Sequence, residues 1–412
     1  MAMKESGIEW VGSIPDTWDV IPNKYIMHKE KNLCEKWTGE DVMSLTMNGV
    51  RDLQNPTGKM PATFDGYQYI EDGDLLMCLF DIDVTPRCIG KVTHNGVTSP
   101  AYSNFITHDN ASRDYYYYYY LMVDNTKELL HLAKNLRHSF TEEQLGSLKV
   151  PMPPLTEQQV IADYLNEKCS KIDDIIAEAN ASVEEYKELK QAVIDNATMT
   201  GIHDSEMKYT DYVWFPEMPK SWNLVLASLL FREDVRPIDA NDVSLSLSQV
   251  DGLIPTDDMS ERSLKSATHD NWKHVIPDDL VLNRFKGHLG VFFASKYTGM
   301  VSFHYGVYHA IRDDVYAKYY EYLFHSTTYK NIFALKSNGI TVGLQNLSNG
   351  NFYSVKILHP TLDEQIEIVK YLDKRTAEID SLIAEKKSLI KDLELYKKSL
   401  IYEVVTGKRR VV

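Results

Sequence analysis

The chain has 412 residues, too many for one ordinary hydrophobic core, so two or more globular units are expected. Its formal charge of −15 argues, taken alone, against a protein coated in basic residues for nucleic acid. No long apolar run suggests a membrane span, the opening MAMKESGIEW has no basic-then-apolar leader, and Cys34, Cys78, Cys88 and Cys169 lie at no metal-ligand spacing, which reads as a cytoplasmic protein with reduced thiols and no membrane partner.

In chain order, the first landmark is Trp10, Pro15 and Trp18 in WVGSIPDTW. About 130 residues of mixed globular sequence follow, including the core-like strand DLLMCLF. The run DYYYYYYL at 114–121 could stack on bases, but its later counterpart VYAKYYEYLF has helical spacing, which favours an amphipathic helix. PPLTEQQVIADYL then opens a long segment without Gly or Pro until Gly201. Thr156 and Glu157 supply N-terminal capping chemistry, and Gly201 the C-terminal cap.

The chain then repeats itself. Trp10, Pro15 and Trp18 return as Trp214, Pro219 and Trp222, 204 residues on. Tyr120-Leu121 returns as Tyr322-Leu323. Glu157-Gln158, Tyr164-Leu165 and Ile172-Asp173 return 207 residues on as Glu364-Gln365, Tyr371-Leu372 and Ile379-Asp380. A second long helix is expected from Asp363-Glu364 to a cap at Gly407. Heptad spacing selects the seam Ile172, Ile175, Ala179, Ser182, Tyr186, Leu189, Val193 in the first helix. In the second it selects Ile379, Leu382, Lys386, Leu389, Leu393, Tyr396, Leu400. An antiparallel pair sets Ala179 opposite Leu393, Ser182 opposite Leu389 and Tyr186 opposite Lys386. Small residues then face large ones, and the ammonium faces a phenol that can accept its hydrogen bond. The expected fold class is α+β: two α/β globular domains related by pseudo-twofold symmetry and joined by two long antiparallel coiled-coil helices. The boundaries are 1–152, 153–206, 207–358 and 359–412.

Chemistry-bearing motifs are missing. There is no phosphate-cradling loop, no dinucleotide fingerprint, no zinc cluster and no nucleophile elbow. Acids, however, avoid particular windows. None occurs between Asp83 and Asp109, which hold Arg87 and Lys91, nor between Asp279 and Asp313, which hold Arg284, Lys286 and His288 in RFKGHLG. Residues 129–141, with Arg137, His138 and Ser139, and 322–362, with Lys336 and Thr341, lack acids too. A surface facing phosphates must exclude carboxylates, and buried strands such as DLVLNRF account for part of the same pattern. The fork of Arg284 could pair with guanine O6 and N7. These ten residues are the candidate DNA contacts.

The repeated Trp-Pro-Trp opening, the globular region and PMPPLTEQQVIADYLNEKCSKID together resemble the specificity subunit of type I restriction-modification systems, along essentially the whole chain. So do LKQAVI and VVTGK. The resemblance implies that each recognition domain reads one half of a bipartite, asymmetric double-stranded DNA target. The helices then set the spacer and dock two methyltransferase subunits. Those, with restriction/translocase subunits, carry S-adenosylmethionine, ATP and Mg²⁺; this chain is implied to be non-catalytic and to hold no cofactor. The alternatives are a fused restriction-methylation enzyme and a coiled-coil adapter without a DNA role. One departure is ATMTGI at the first helix end, where the second has EVVTGK.

Overall fold

The computed structural model describes residues 2–53, 63–83, 85, 87–133, 139–233, 235–248, 252–259, 269, 271–337 and 346–411. Two compact units emerge: residues 1–180 with 388–412, and residues 181–387.

The first unit holds a four-stranded antiparallel sheet of β1 (Met27–Glu30), β2 (Leu75–Met77), β3 (Ile89–Lys91) and β4 (Ser103–Thr107), in the order β1-β4-β2-β3. The helices that follow include α1 (Arg113–Asn125), the short α2 (Glu142–Ser147) and the long α3 (Leu155–Thr200). The second unit repeats this with β5 (Phe231–Glu233), β6 (Leu280–Asn283), β7 (Phe292–Ala294) and β8 (Tyr305–Ala310), in the order β5-β8-β6-β7. Its helices are α4 (Ala317–Phe324), α5 (Asn349–Tyr353) and the long α6 (Leu362–Val405). A second set of strands is also repeated, more fully paired in the first unit. The first unit carries a second four-stranded sheet, Gly49–Asp52, Val42–Thr46, Gly96–Thr98 and Gln68–Ile70, with one parallel pairing. The second has the equivalent pairs, Leu245–Ser248 with Gly252–Pro255 and Lys273–Val275 with Gly299–Val301, joined through a parallel bridge from Ser244 to Met300.

The tyrosine run is core. Tyr115, Tyr116, Tyr118, Tyr119 and Tyr120 are all buried in α1, so the amphipathic reading holds. The echo itself needs shifting. Tyr115 donates to the Val405 carbonyl and Tyr319 to that of Thr198. Tyr118 donates to Asn166, and Tyr322 to Asp373. The equivalent pairs are therefore 204 residues apart, like the tryptophans, and Tyr120-Leu121 is not the partner of Tyr322-Leu323. A homopolymeric run hides its own register.

The repeated Glu-Gln pair is a structural lock. The Trp18 indole N–H donates to Glu157 at 3.0 Å, and that of Trp222 to Glu364 at 3.2 Å. The fully buried Gln158 accepts from the Ser112 backbone N–H at 2.8 Å and donates to the Pro153 carbonyl at 2.8 Å. Gln365, also fully buried, accepts from Tyr316 N–H at 2.8 Å and donates to the carbonyls of Asp314 and Pro360. Each glutamine thus satisfies orphan backbone groups at the start of a domain helix and at the start of a long helix. The second long helix adds a capping box through Thr361 and Glu364. In the first, Pro154 precedes the helix and no such box forms. Both C-caps are left-handed glycines, Gly201 at φ +80° and Gly407 at φ +70°.

Five of the seven seam positions in the first helix and four of the seven in the second are at least half-buried. Ile172 and Ala179 are buried and Ser182, Tyr186 and Val193 half-buried; Ile379 and Leu400 are buried and Lys386 and Leu393 half-buried. The remaining positions shift by one residue. Ile175, Leu189, Leu382, Leu389 and Tyr396 are exposed, while Ile176, Val183, Lys190, Ile383, Ile390 and Lys397 turn inward. Doublets such as Ile175-Ile176 and Leu382-Ile383 satisfy 3-4 and 4-3 spacing equally, so hydrophobicity alone leaves the face ambiguous. Charge decides it. Lys397 reaches both oxygens of Asp173 at 2.6 Å, and Lys190 both oxygens of Asp380 at 2.7 Å. Moving forward along α3 from Asp173 to Lys190 matches moving backward along α6 from Lys397 to Asp380, so the helices pair antiparallel. The 207-residue repeat converts one bridge into the other. The expected hydrogen bond from Lys386 to Tyr186 does not form. No helix among the described residues is long and apolar enough to cross a membrane.

Candidate nucleic-acid interface

In each unit a connection joins a central strand to the edge strand beside it, β2 to β3 or β6 to β7. Arg284 begins the second of these connections, and its guanidinium is not free. Its Nη2 donates to Glu233 at 2.6 Å and to Asn349 at 2.7 Å, while its buried Nε has no partner. Glu233 also takes Lys273 at 2.7 Å and the Asn349 amide. Burial would raise the Glu233 carboxyl, but Lys273, Asn349 and Arg284 outweigh it and hold the pKa below the usual range. This group ties β5 and β6 to α5. The first unit ties the same places together with different chemistry: Lys29 of β1 bonds Glu142 of α2, and the buried Leu79 stands where Arg284 stands. The expectation of a guanine-reading fork at Arg284 therefore meets a guanidinium already engaged inside its own domain. A basic residue beside glycines looks identical in sequence whether its partner is internal or external.

The other candidates divide. Lys286 is exposed at the turn after Arg284, and Arg87 is half-buried beside Gly49. Lys91 is paired with Asp114 at 2.9 Å; burial would raise that carboxyl, and Lys91 with Asn166 brings it below its usual range. Lys336 donates to Ser354 at 3.1 Å, and Ser139 is half-buried. Arg137, His138, Thr341 and the side chain of His288 lie outside the described residues. Among the described cations of this set, Lys286, Arg87 and Lys336 have no internal ion pair, and Lys336 alone of the three donates to a neighbouring hydroxyl.

Exposed aromatic residues were missed. Phe80 is 38% exposed and packs against Tyr102, ring centroids 6.4 Å apart. Phe285 is 40% exposed and packs against His304 at 4.9 Å, with Phe303 at 51% exposure beside it. The two strand segments DLLMCLF and DLVLNRF both end on these phenylalanines, a likeness readable in the sequence once the strands are aligned. Among the described residues no cluster of His, Cys, Asp and Glu could hold a metal ion, and all four cysteines are buried and unpaired.

Two units of one topology, each locked to a long helix and each presenting its own exposed loops, define a paired recognition scaffold. The chain belongs to the family described as the type I restriction modification DNA specificity domain, which it matches over residues 80–185 and 255–392. A putative type I restriction enzyme MjaX specificity subunit from Methanocaldococcus jannaschii is 23% identical over 232 residues, 52% of this chain and 53% of that protein. The chain thus spans about half the length of this curated relative. Among solved structures, a chain from work on complex assembly and conformational transition of the type I R-M system superposes with a TM-score of 0.68 at 12% identity. It covers 96% of this chain and 99% of its own. The HsdS subunit from Thermoanaerobacter tengcongensis gives 0.53 at 13% identity, over 96% and 98%. At these identities the likeness is one of fold.

Proposed function

We propose that this chain is the non-catalytic, cytoplasmic DNA-reading subunit of a type I restriction-modification complex. Its recognition regions, residues 1–152 and 207–358, each read one half of a bipartite, asymmetric double-stranded target. The helical regions 153–206 and 359–412 set the unread spacer and dock two methyltransferase subunits; the exposed Ile175, Leu189, Leu382, Leu389 and Tyr396 give them an apolar face for that purpose. Methyl transfer, translocation and cleavage, with their S-adenosylmethionine, ATP and Mg²⁺, reside on the methyltransferase and restriction/translocase partners. The observation that carries this reading is one sheet topology built twice with unlike loops, Asp81-Ile82-Asp83 after β2 where Lys286-Gly287-His288 follows β6. A single half-site read twice would need like loops and a palindromic target, whereas unlike loops on a common scaffold fit two different half-sites. Methylome sequencing of the host with and without this chain tests it. Loss of one bipartite methylated motif is expected, and an unchanged methylome overturns it.

A further inference from the structure

The internal repeat serves as a comparison of two structures within one chain. Positions with the same role in both units can be matched by hydrogen bonds rather than by residue type. Met77 pairs with Ile89 across β2 and β3, and Leu282 with Phe292 across β6 and β7. The third residue beyond each strand position is a phenylalanine, Phe80 or Phe285. The residue just before each is pinned by the same bond from the segment ahead of the short helix. Phe140 N–H donates to the Leu79 carbonyl at 2.7 Å, and Leu347 N–H to the Arg284 carbonyl at 3.2 Å. Phe140 and Leu347 are themselves 207 residues apart. The two phenylalanines therefore occupy one structural position.

That position is unusual for what it costs. A large apolar ring is held out of the core at 38% and 40% exposure, where burial would be favourable. The backbone around each is fixed. In the first loop Thr85 N–H and hydroxyl both donate to the Asp81 carbonyl, at 2.9 and 2.8 Å. In the second, Phe285 N–H donates to the Asn283 side chain at 3.2 Å, and Gly287 N–H to Arg284 at 3.2 Å. One side of each ring is backed by a second ring, Tyr102 or His304. The residue before it differs completely, Leu79 or Arg284, and so do the residues after it, yet the exposed ring is kept. Single exposed apolar residues need no explanation; the same one, rigidly presented at matched positions of two divergent loops, does.

We propose that Phe80 and Phe285 are specificity-determining residues, each placing its ring edge against base edges in one half-site of the DNA target. The inference rests on the proposed DNA-reading function. A phenyl ring offers no hydrogen bond and no charge, so it gains little from phosphates. Its favourable partner is apolar base surface, such as a thymine methyl group in the major groove. The neighbouring cations, Lys286 in one loop and Arg87 in the other, suit the flanking backbone phosphates.

The test uses the full chain assembled with its methyltransferase subunits, assayed by methylation of the motif found in the host and of every single-base variant of it. Wild type must first methylate one bipartite motif; if it does not, the proposed function fails before this inference is reached. Phe80→Ala is expected to relax discrimination at one base position of one half-site by about tenfold, and Phe285→Ala at one position of the other half. Phe80→Leu and Phe285→Leu retain most of the apolar contact and most of the discrimination. Unchanged discrimination in both alanine variants overturns the inference. So does uniform weakening on all sequences, or loss of methyltransferase assembly with the motif intact, which reassigns the rings to phosphate or protein contact. Thermal unfolding of the variants, in which some loss is expected because each ring is only 38% or 40% exposed, is read beside methylation so that misfolding does not imitate any of these results.

Discussion

Gln365 makes the sharpest demand on the lock between domain and helix. Replacing it with alanine orphans the Tyr316 N–H and removes the donor to the carbonyls of Asp314 and Pro360. The site is fully buried, so water does not replace the lost partners without a rearrangement. A buried polar group left unpaired costs about 1–3 kcal/mol. With three groups affected and some relaxation, Gln365→Ala should destabilise the second unit by about 3–6 kcal/mol. At a urea dependence of about 2 kcal/mol/M the midpoint falls by about 1.5–3 M. Because there are two units, unfolding need not be two-state, so hydrogen exchange read by region is the better assay. Protection of α4 and of the first turns of α6 should drop, while α1 keeps its protection. Gln158→Ala should produce the mirror pattern through Ser112 and Pro153. If Gln365→Ala unfolds at the wild-type urea concentration with α4 protection intact, the glutamine is not the lock and the reasoning fails.

Gly407→Ala should be worse than Gly201→Ala. Both need a left-handed backbone, which costs an L-residue about 1–2 kcal/mol, but a Cβ at 407 would sit 2.5 Å from Pro15 and 3.0 Å from Trp18, against 3.4 Å to Trp222 at 201; differential scanning calorimetry of the two variants should rank them in that order. Arg284→Ala is expected to lower the stability of the second unit by about 1–3 kcal/mol, because Glu233 keeps Lys273 but loses its guanidinium. The methylated motif of the surviving folded fraction should be unchanged, and a base-specific loss without destabilisation contradicts the clamp. Arg312, and then His359, hold the Asp314 carboxyl down at about 2. A depressed carboxyl contributes stability above its unfolded pKa of about 4 and loses it as pH falls toward 2. Asp314→Asn should therefore flatten the melting temperature against pH across that window, with wild type falling more steeply.

The sequence made the scaffold legible because the scaffold is what the repeat preserves. Offset 207 located the long helices, their caps and the Glu-Gln pair, since these residues answer to backbone geometry that is the same in both halves. The seam was only half legible. Adjacent apolar residues left two faces open, and the deciding inward lysines, Lys190 and Lys397, are the residues a hydrophobic pattern discards. The tyrosine register was unreadable inside a run of identical letters. Arg284 was misjudged for a related reason: its partners Glu233 and Asn349 lie 51 and 65 residues away, and nothing local marks them.

The same comparison separates scaffold from reader more generally. Where both units keep a residue and bury it, as with Trp18 and Trp222 or Gln158 and Gln365, folding accounts for the match. Where both keep a connection but change its residues, as with Lys29 and Glu142 against Glu233 and Asn349, the geometry is under constraint and the chemistry is free. Where the residues are not kept, as in the loops after Phe80 and Phe285, the units are free to meet different surfaces. Phe80 and Phe285 fit none of these classes, because packing on Tyr102 or His304 accounts for only part of each ring and the exposed part is kept as well. A residue retained at a cost to the fold, in two places that otherwise diverge, has to be explained by something outside the fold.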